Sequence, residues 1–369
     1  MAGAIERFEL RHPQGTTPHF YGDGALAAAT AELAPMIADR RILAVSSAPI
    51  VALHDPLLDP LRAVASAFDL VEVPDGEAAK TPAEAERLWR AWSAFGGRRD
   101  ALVVAFGGGS VGDLAGFAAG AFLRGVDWLA LPTTLLAQVD AAVGGKTAVD
   151  LPEAKNSVGL FHHPRAVVAD RSVLATLPLG LRRAGLVEAL KTGAMLDLGL
   201  FERIERDLDR ALGGDLEALA AVAAGAARAK ARLVESDPEE AGARKLLNFG
   251  HTLGHAIEAE AGYGRVAHGD AVAHGMRFAL ALSVALGGDA DFVARVGAAL
   301  DRLAPPPLPA LEAARLLERT GRDKKARRGG LGWVLLDGPG RGAWDRQVPG
   351  ERIVAELDRF LRAAGERPL

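Results

Sequence analysis

The chain has no cysteine. That excludes disulfides, thiolate metal ligands and a cysteine nucleophile, and it fits a reducing, cytoplasmic setting. Nor is there an excess of positive charge: 43 Lys and Arg stand against 47 Asp and Glu, a formal net charge of −4. No overall basic field invites nucleic acid, so an anionic small molecule would need a local cluster of Lys and Arg. No stretch runs eighteen residues without a polar break, and the opening MAGAIERFELRHPQG carries no apolar signal core. No membrane partner is expected, and the protein is expected to be soluble and cytoplasmic. Internal repeats and low-complexity linkers are missing too.

What is present is an ordinary globular composition, 49% hydrophobic and 24% charged over 369 residues, enough chain for two domains. In the first half, short runs rich in Val, Ile and Leu read as buried strands: RILAVSSAP (41–49), FDLVEVP (68–74), ALVVAFGGGS (101–110) and VDWLALPTT (126–134). Helical patterns alternate with them at 23–39, 59–69, 81–96 and 112–125. Such alternation predicts a parallel sheet covered on both faces. Past about residue 172, long Ala/Leu/Glu/Arg stretches at 181–196, 198–212, 214–235, 250–261, 270–287, 289–303 and 309–320 predict helices, with one late strand pair near GWVLLDGPGRGAW. The expected organisation is an α/β domain of nucleotide-binding type over 1–172 and a mostly helical domain over 173–369.

FGGGSVGDLAG (106–116) follows a strong strand and opens a helix. Gly107, Gly109 and Gly112 satisfy G-x-G-x-x-G, in which glycines let backbone N–H groups approach a pyrophosphate at a helix N-terminus. A tight turn with close helix–strand packing reads equally well, since the next strand ends in PTT without an acidic ribose ligand. DAAVGGKT (140–147) imitates a P-loop, but Asp140 stands where glycine is needed and its carboxylate would repel phosphates. What remains is a polar connection bearing Asp140, Lys146, Lys155 and Asn156, either solvated or displaying a binding site.

Glu188 and Lys191 interrupt the apolar helix GLVEALKTGAML (185–196) and share one face. They read as an exposed ion pair or as charges facing a site, because charges in apolar surroundings need partners or a metal. Lys230, Glu240, Arg244 and Asn248 stand just ahead of a histidine cluster and by themselves resemble a solvated helix, a turn at Asp237-Pro238 and a helix start. His251 and His255 are spaced i,i+4 as in H-E-x-x-H, although Thr252 replaces the catalytic glutamate of that motif. With His268 in a glycine-flanked segment and Glu188, they could hold a zinc ion with one position open for substrate. A few partly exposed histidines are the alternative.

Seven segments, taken in order, are PDGEAAK (74–80), GGGSVGDLAGFAAGAFLRG (107–125), PTTLLAQVDAAVGGKTAVDLPEAKNSVGLFHHP (132–164), GLVEALKTG (185–193), LLNFGHTLGHAIE (246–258), HGDAVAHGM (268–276) and RDKK (322–325). Over nearly the whole length the chain resembles the 3-dehydroquinate synthase family. The resemblance implies a Rossmann-like NAD-binding domain, a helical C-terminal domain and an active site between them. It implies NAD and zinc, or cobalt, as cofactors, and 3-deoxy-arabino-heptulosonate 7-phosphate as substrate. The reaction would be transient oxidation by NAD, phosphate elimination, re-reduction and intramolecular aldol closure.

By the same resemblance Glu188, His251 and His268 would be the metal ligands, and His255 would face the substrate phosphate. Asp140, Lys146 and Lys191 would hold substrate hydroxyls, with Lys230 and Arg244 on the carboxylate. Asn156, Asn248 and one or both of Lys324 and Lys325 would attend the phosphate, and Glu240 matches a general base. Arg124 would reach into a neighbouring subunit, which implies a homodimer. Glu77, Lys80, Gly108, Gly109, Ser110, Asp113, Thr133, Thr134, Lys155 and Thr176 would contact NAD. One departure is Ser46-Ser47-Ala48, where many relatives place Asp or Asn near the adenosine. Alternatives are a sugar phosphate cyclase whose substrate lacks a carboxylate, a metal-dependent alcohol dehydrogenase of glycerol-dehydrogenase type, and an inactive binding subunit.

Overall fold

A computed structural model of the chain describes residues 5–262, 264–324 and 332–366. It opens with a hairpin, β1 (Glu6–His12) and β2 (Gly15–Gly22), followed by α1 (Ala25–Ile37), β3 (Arg41–Ser47), α2 (Ala48–His54), α3 (Asp59–Val64) and β4 (Ala67–Val73). Next come α4 (Pro82–Ala94), β5 (Leu102–Gly107), α5 (Gly109–Ala121), β6 (Asp127–Pro132), a second hairpin of β7 (Lys146–Leu151) and β8 (Ala154–Phe161), and β9 (Ala166–Asp170). Helices α6 (Leu179–Leu196), α7 (Leu198–Gly213), α8 (Leu216–Ser236), α9 (His251–Ala261), α10 (His268–Ala285), α11 (Ala290–Leu303) and α12 (Ala313–Lys324) follow. A hairpin of β10 (Trp333–Gly338) and β11 (Arg341–Arg346) and helix α13 (Gly350–Glu366) close the described chain. Two compact units result: 1–178 with 219–239, and 179–218 with 240–369. None of the described helices is long and apolar enough to cross a membrane.

The first unit is built on a seven-stranded sheet in the order β1-β2-β9-β6-β5-β3-β4. All its pairings are parallel except β1 with β2. Strand periodicity explains the two-sided core. In β3 and β5, Leu43, Val45, Val103 and Ala105 pack on one face with Leu88, Trp92 and Leu114 of α4 and α5. Ile42, Ala44, Leu102 and Val104 pack on the other with Leu26 and Leu33 of α1. The apolar runs predicted as strands are β3, β5 and β6 inside the sheet and β4 at its edge. The pattern over 59–69 predicts a single helix, yet α3 stops at Val64. Ala65 turns extended, and Ala67 and Phe68 join the ladder with Arg41 and Ile42, where the strand buries Phe68 and Leu70 against the α1 face.

The edge hairpin carries a pH-sensitive element. His19 on β2 is fully buried, stacked on Phe8 at 4.7 Å, and neither ring nitrogen has a hydrogen-bond partner among the described residues. Burial, with His163 and His12 adding repulsion, pushes its pKa down to about 3. The folded state therefore refuses a proton that the unfolded chain accepts below about 6.5, so stability present at neutral pH is lost as pH falls from there toward 3. A His19→Phe variant should be spared about 3 kcal/mol of the loss between pH 7 and pH 4. Urea midpoints of both proteins at the two pH values check this, and equal acid losses would refute it.

In the second unit α6 is wrapped on all sides. Every residue from Ala184 to Met195 is buried, as expected of a helix without a polar stripe. Helices α9 and α10 meet through small residues: a Cβ on Gly275 would lie 2.0 Å from the Gly250 carbonyl oxygen, and one on Gly254 3.2 Å from that of Ala271. Leu253, Ile257, Phe278, Leu282, Leu316, Trp333 and Leu357 form the core on the far side of this crossing.

Candidate active site

In the first unit, β5 runs into Gly108 and α5 begins at Gly109 with no side chain capping its N–H groups. A Cβ on Gly107 would strike the Val111 side chain at 2.7 Å, one on Gly108 would come 3.1 Å from Thr134, and one on Gly109 3.2 Å from Ala141. A Cβ on Gly112 would meet nothing within 4 Å. Gly107 thus serves close strand–helix packing, while Gly108, Gly109 and Gly112 border a cleft shared with Asp113, Ala141 and Lys146. Thr133, at the end of the neighbouring strand, has a buried Oγ1 with no hydrogen-bond partner among the described residues. Uncapped amides, missing side chains and an orphan hydroxyl together suit the backbone approach of a dinucleotide.

A charged network frames this cleft. Lys80, only 3% exposed, donates to Asp113 Oδ2 at 2.8 Å and to Asn156 Oδ1, with Asp150 at 3.9 Å. Asp150 also accepts the Asn156 backbone N–H at 2.6 Å, fixing Asn156 in a left-handed conformation. Burial works against the Lys80 ammonium, but Asp113, Glu77 and Asp150 outweigh it and raise its pKa. Burial likewise raises Asp113. Glu77 is held below its ordinary range because Lys80 and Lys155 overcome its burial. Ser110 donates to Glu77 Oε1 at 2.8 Å, and Lys155 lies 3.6 Å from Oε2. Thr134 accepts the Ala137 N–H, and Thr176 lies 3.0 Å from the His54 ring. Ser47 donates to Asp75 Oδ1 at 3.0 Å, so a carboxylate just past β4 stands beside the Ser46-Ser47-Ala48 segment. Asp140 sits in a single turn, Ala137–Ala141, with no strand running into it, consistent with setting aside the P-loop. Lys230, buried on α8, donates to the Asp140 carbonyl at 2.7 Å and to its carboxylate.

In the second unit Glu188 and Lys191 are each 1% exposed and paired with one another. The exposed ion pair is therefore corrected to a buried one. Glu188 Oε2 accepts a hydrogen bond from the Lys191 ammonium, while Oε1 accepts no hydrogen bond among the described residues. Nε2 of His251 and Nε2 of His268 both lie 3.7 Å from that oxygen. His268 does not belong to a loop as the glycine-flanked sequence suggests. It is the first residue of α10, brought beside α6 because Gly269 lets the chain pass where a Cβ would lie 2.4 Å from Ala184 Cα.

His251 holds Nδ1 3.3 Å from the Phe249 carbonyl, and His268 holds Nδ1 3.1 Å from Glu258 Oε2. Both rings thereby turn Nε2 toward Glu188. Ligands about 2.0–2.1 Å from a tetrahedral ion sit roughly 3.3–3.4 Å apart, so contraction of a few tenths of an ångström would seat a metal here. The donor set, one carboxylate and two imidazoles, is that of a catalytic zinc site with a position to spare. His255, exposed on α9, joins His268 and Glu258 in a second, overlapping group. Glu240, in a left-handed conformation, accepts from Asn248 Nδ2 at 2.7 Å. Arg244 is 2% exposed, not solvated as its local sequence suggests. Arg124 is exposed in the first unit. Lys324 ends α12, and Lys325 lies outside the described residues.

The sequence reading does not single out Asp75, Asp150 or Glu258. Only Glu258 left a local signal, standing seven residues after His251 and three after His255 on the face of α9 that carries both.

Two family models match adjoining parts of the chain. The family model for the N-terminal part of 3-dehydroquinate synthase matches residues 70–184, and that for its C-terminal part matches residues 185–326. The 3-dehydroquinate synthase of Rhodospirillum rubrum is 44% identical over 351 residues, covering 92% of this chain and 91% of the relative. Among solved structures, 2-deoxy-scyllo-inosose synthase complexed with carbaglucose-6-phosphate, NAD+ and Co2+ matches with a TM-score of 0.85 at 26% identity, over 97% of this chain and 99% of that one. The 2-epi-5-epi-valiolone synthase of Streptomyces hygroscopicus, with NAD+ and Zn2+ bound, matches with a TM-score of 0.81 at 28% identity, over 90% and 92%.

Proposed function

The chain belongs to the 3-dehydroquinate synthase family, and from that premise we propose that it converts 3-deoxy-D-arabino-heptulosonate 7-phosphate to 3-dehydroquinate and inorganic phosphate. It is a cytoplasmic phosphorus–oxygen lyase that uses NAD and a divalent metal, zinc or cobalt. The observation that carries the site assignment is the buried Glu188 Oε1, which accepts no hydrogen bond among the described residues while two imidazole Nε2 atoms face it at 3.7 Å. When bound, the metal supplies Lewis acidity to a substrate hydroxyl, and the dinucleotide reversibly accepts a hydride.

Glu188, His251 and His268 hold the metal. Lys191 balances the Glu188 charge and, with Asp140 and Lys146, orients substrate hydroxyls. Lys230 and Arg244, both buried cations, take the substrate carboxylate, which favours this substrate over a carboxylate-free sugar phosphate. Asn156, Asn248, His255 and one or both of Lys324 and Lys325 receive the phosphate, and Glu240, hydrogen-bonded to Asn248, serves as the general base. Glu77, Lys80, Gly108, Gly109, Ser110, Asp113, Thr133, Thr134, Lys155 and Thr176 hold NAD.

Turnover should need NAD+ in catalytic amounts only, because the cofactor that takes the hydride returns it. Incubation with the heptulosonate phosphate and substoichiometric NAD+ should release phosphate and form the carbocycle over many turnovers. NADH accumulating in step with product would refute the reading and favour a dehydrogenase.

The working form is a homodimer in which Arg124 completes the neighbour's site. In its support, Leu123, Leu151, Val158, Leu160 and Phe161 expose apolar side chains, and β8 pairs only with β7 among the described strands. Leu160 also lies against the end of α5, where a Cβ on Gly120 would meet it at 2.8 Å. Mixing inactive Arg124→Ala with inactive Lys146→Ala should then restore roughly a quarter of wild-type activity, since half the dimers are mixed and each holds one intact site. No recovery after verified subunit exchange would refute the shared site.

A further inference from the structure

We infer that Glu258 is a positioning residue for the metal site: its carboxylate keeps the proton of His268 on Nδ1, so that Nε2 presents its lone pair to the ion. The inference rests on the metal-site reading above. Glu258 is 3% exposed on α9 and its Oε2 stands 3.1 Å from His268 Nδ1. An ionised carboxylate only accepts hydrogen bonds, so the proton between them belongs to the ring. The other nitrogen of the same ring is the one that faces Glu188 Oε1. His251 is oriented by a neutral partner instead, the Phe249 carbonyl.

Charge gives Glu258 a second task. Lys191 already neutralises Glu188, so a dication bound there would meet no net negative charge from that pair. Glu258 supplies the missing anion through the imidazole, the arrangement by which a carboxylate raises the basicity of a ligating histidine. Glu258 could also be grouped with His255 and His268 as a ligand in its own right. Its Oε2 is engaged with His268, however, whereas Glu188 Oε1 accepts no hydrogen bond among the described residues.

The test is zinc affinity by chelator competition, together with the visible spectrum of the cobalt-substituted protein, in folded variants. Glu258→Leu should bind zinc about 10–100-fold more weakly and shift the cobalt bands. Glu258→Gln, whose amide oxygen can still accept from Nδ1, should fall between Glu258→Leu and wild type. In a His268→Ala background Glu258→Leu should cause no further loss, because its effect passes through that ring. Wild-type affinity and spectrum in Glu258→Leu, or a loss that adds in full to that of His268→Ala, would overturn the inference. Glu258→Gln losing zinc as completely as His251→Ala would make Glu258 a ligand and overturn it too. Zinc retained by His251→Ala and Glu188→Ala alike would overturn the metal site itself, and the inference with it.

Discussion

A His268→Ala variant dialysed against a mild chelator is expected to lose its zinc, whereas His255→Ala should keep about one zinc per chain and lose most of its turnover. Helical spacing alone would pair His251 with His255, whose rings lie 5.3 Å apart. The tertiary arrangement supports another pairing. Both His251 and His268 aim Nε2 at Glu188 Oε1, while His255 sits exposed on α9. A fourth protein ligand would also close the position that a substrate hydroxyl must take. Losing one of three protein ligands should sharply weaken zinc retention, because only two donors remain to hold the ion. Metal analysis of both variants decides: zinc lost with His255 and kept without His268 would reverse the assignment.

The buried pair on α6 should give the second large effect, this time on stability. Glu188 and Lys191 are each 1% exposed and form an ion pair through Glu188 Oε2. In metal-free protein, Lys191→Met leaves the Glu188 carboxylate charged in an apolar helix with its main partner gone, at a cost of about 3–5 kcal/mol. Removing both charges, as in Glu188→Gln with Lys191→Met, should restore most of that loss, since the desolvated charge goes with its partner. Zinc should stabilise the single variant by replacing the lost positive charge. Urea unfolding of the three proteins measures it. A single variant within 1 kcal/mol of wild type would mean that the pair is neither buried nor coupled as described.

The sequence determined the parts whose signals are local. Runs of Val, Ile and Leu set the inner strands β3, β5 and β6, because a strand buried on both faces must be apolar throughout, and a shorter run marked the edge strand β4. The triple glycine after β5 marked the loop that opens α5, and the ordered motifs pointed to one family before any contact was known. The edge hairpin β1–β2 escaped because its charged, alternating residues need a sheet to pack on. The helix expected over 59–69 lost its second half to β4, where pairing with β3 outweighs local helical preference. The resemblance already named Glu188, His251 and His268 as metal ligands, but only the tertiary structure buries Glu188, Lys191 and Glu258 and turns two imidazoles onto one carboxylate oxygen. Their spacing suits an exposed ion pair and a histidine pair on one helix, and nothing local says otherwise. Gly269 against Ala184, and Gly250 and Gly254 against α10, bring three helix segments close enough to bury those charges and turn two imidazoles onto one oxygen. That outcome depends on distances between residues far apart in the chain, which a periodicity read along a single helix does not contain.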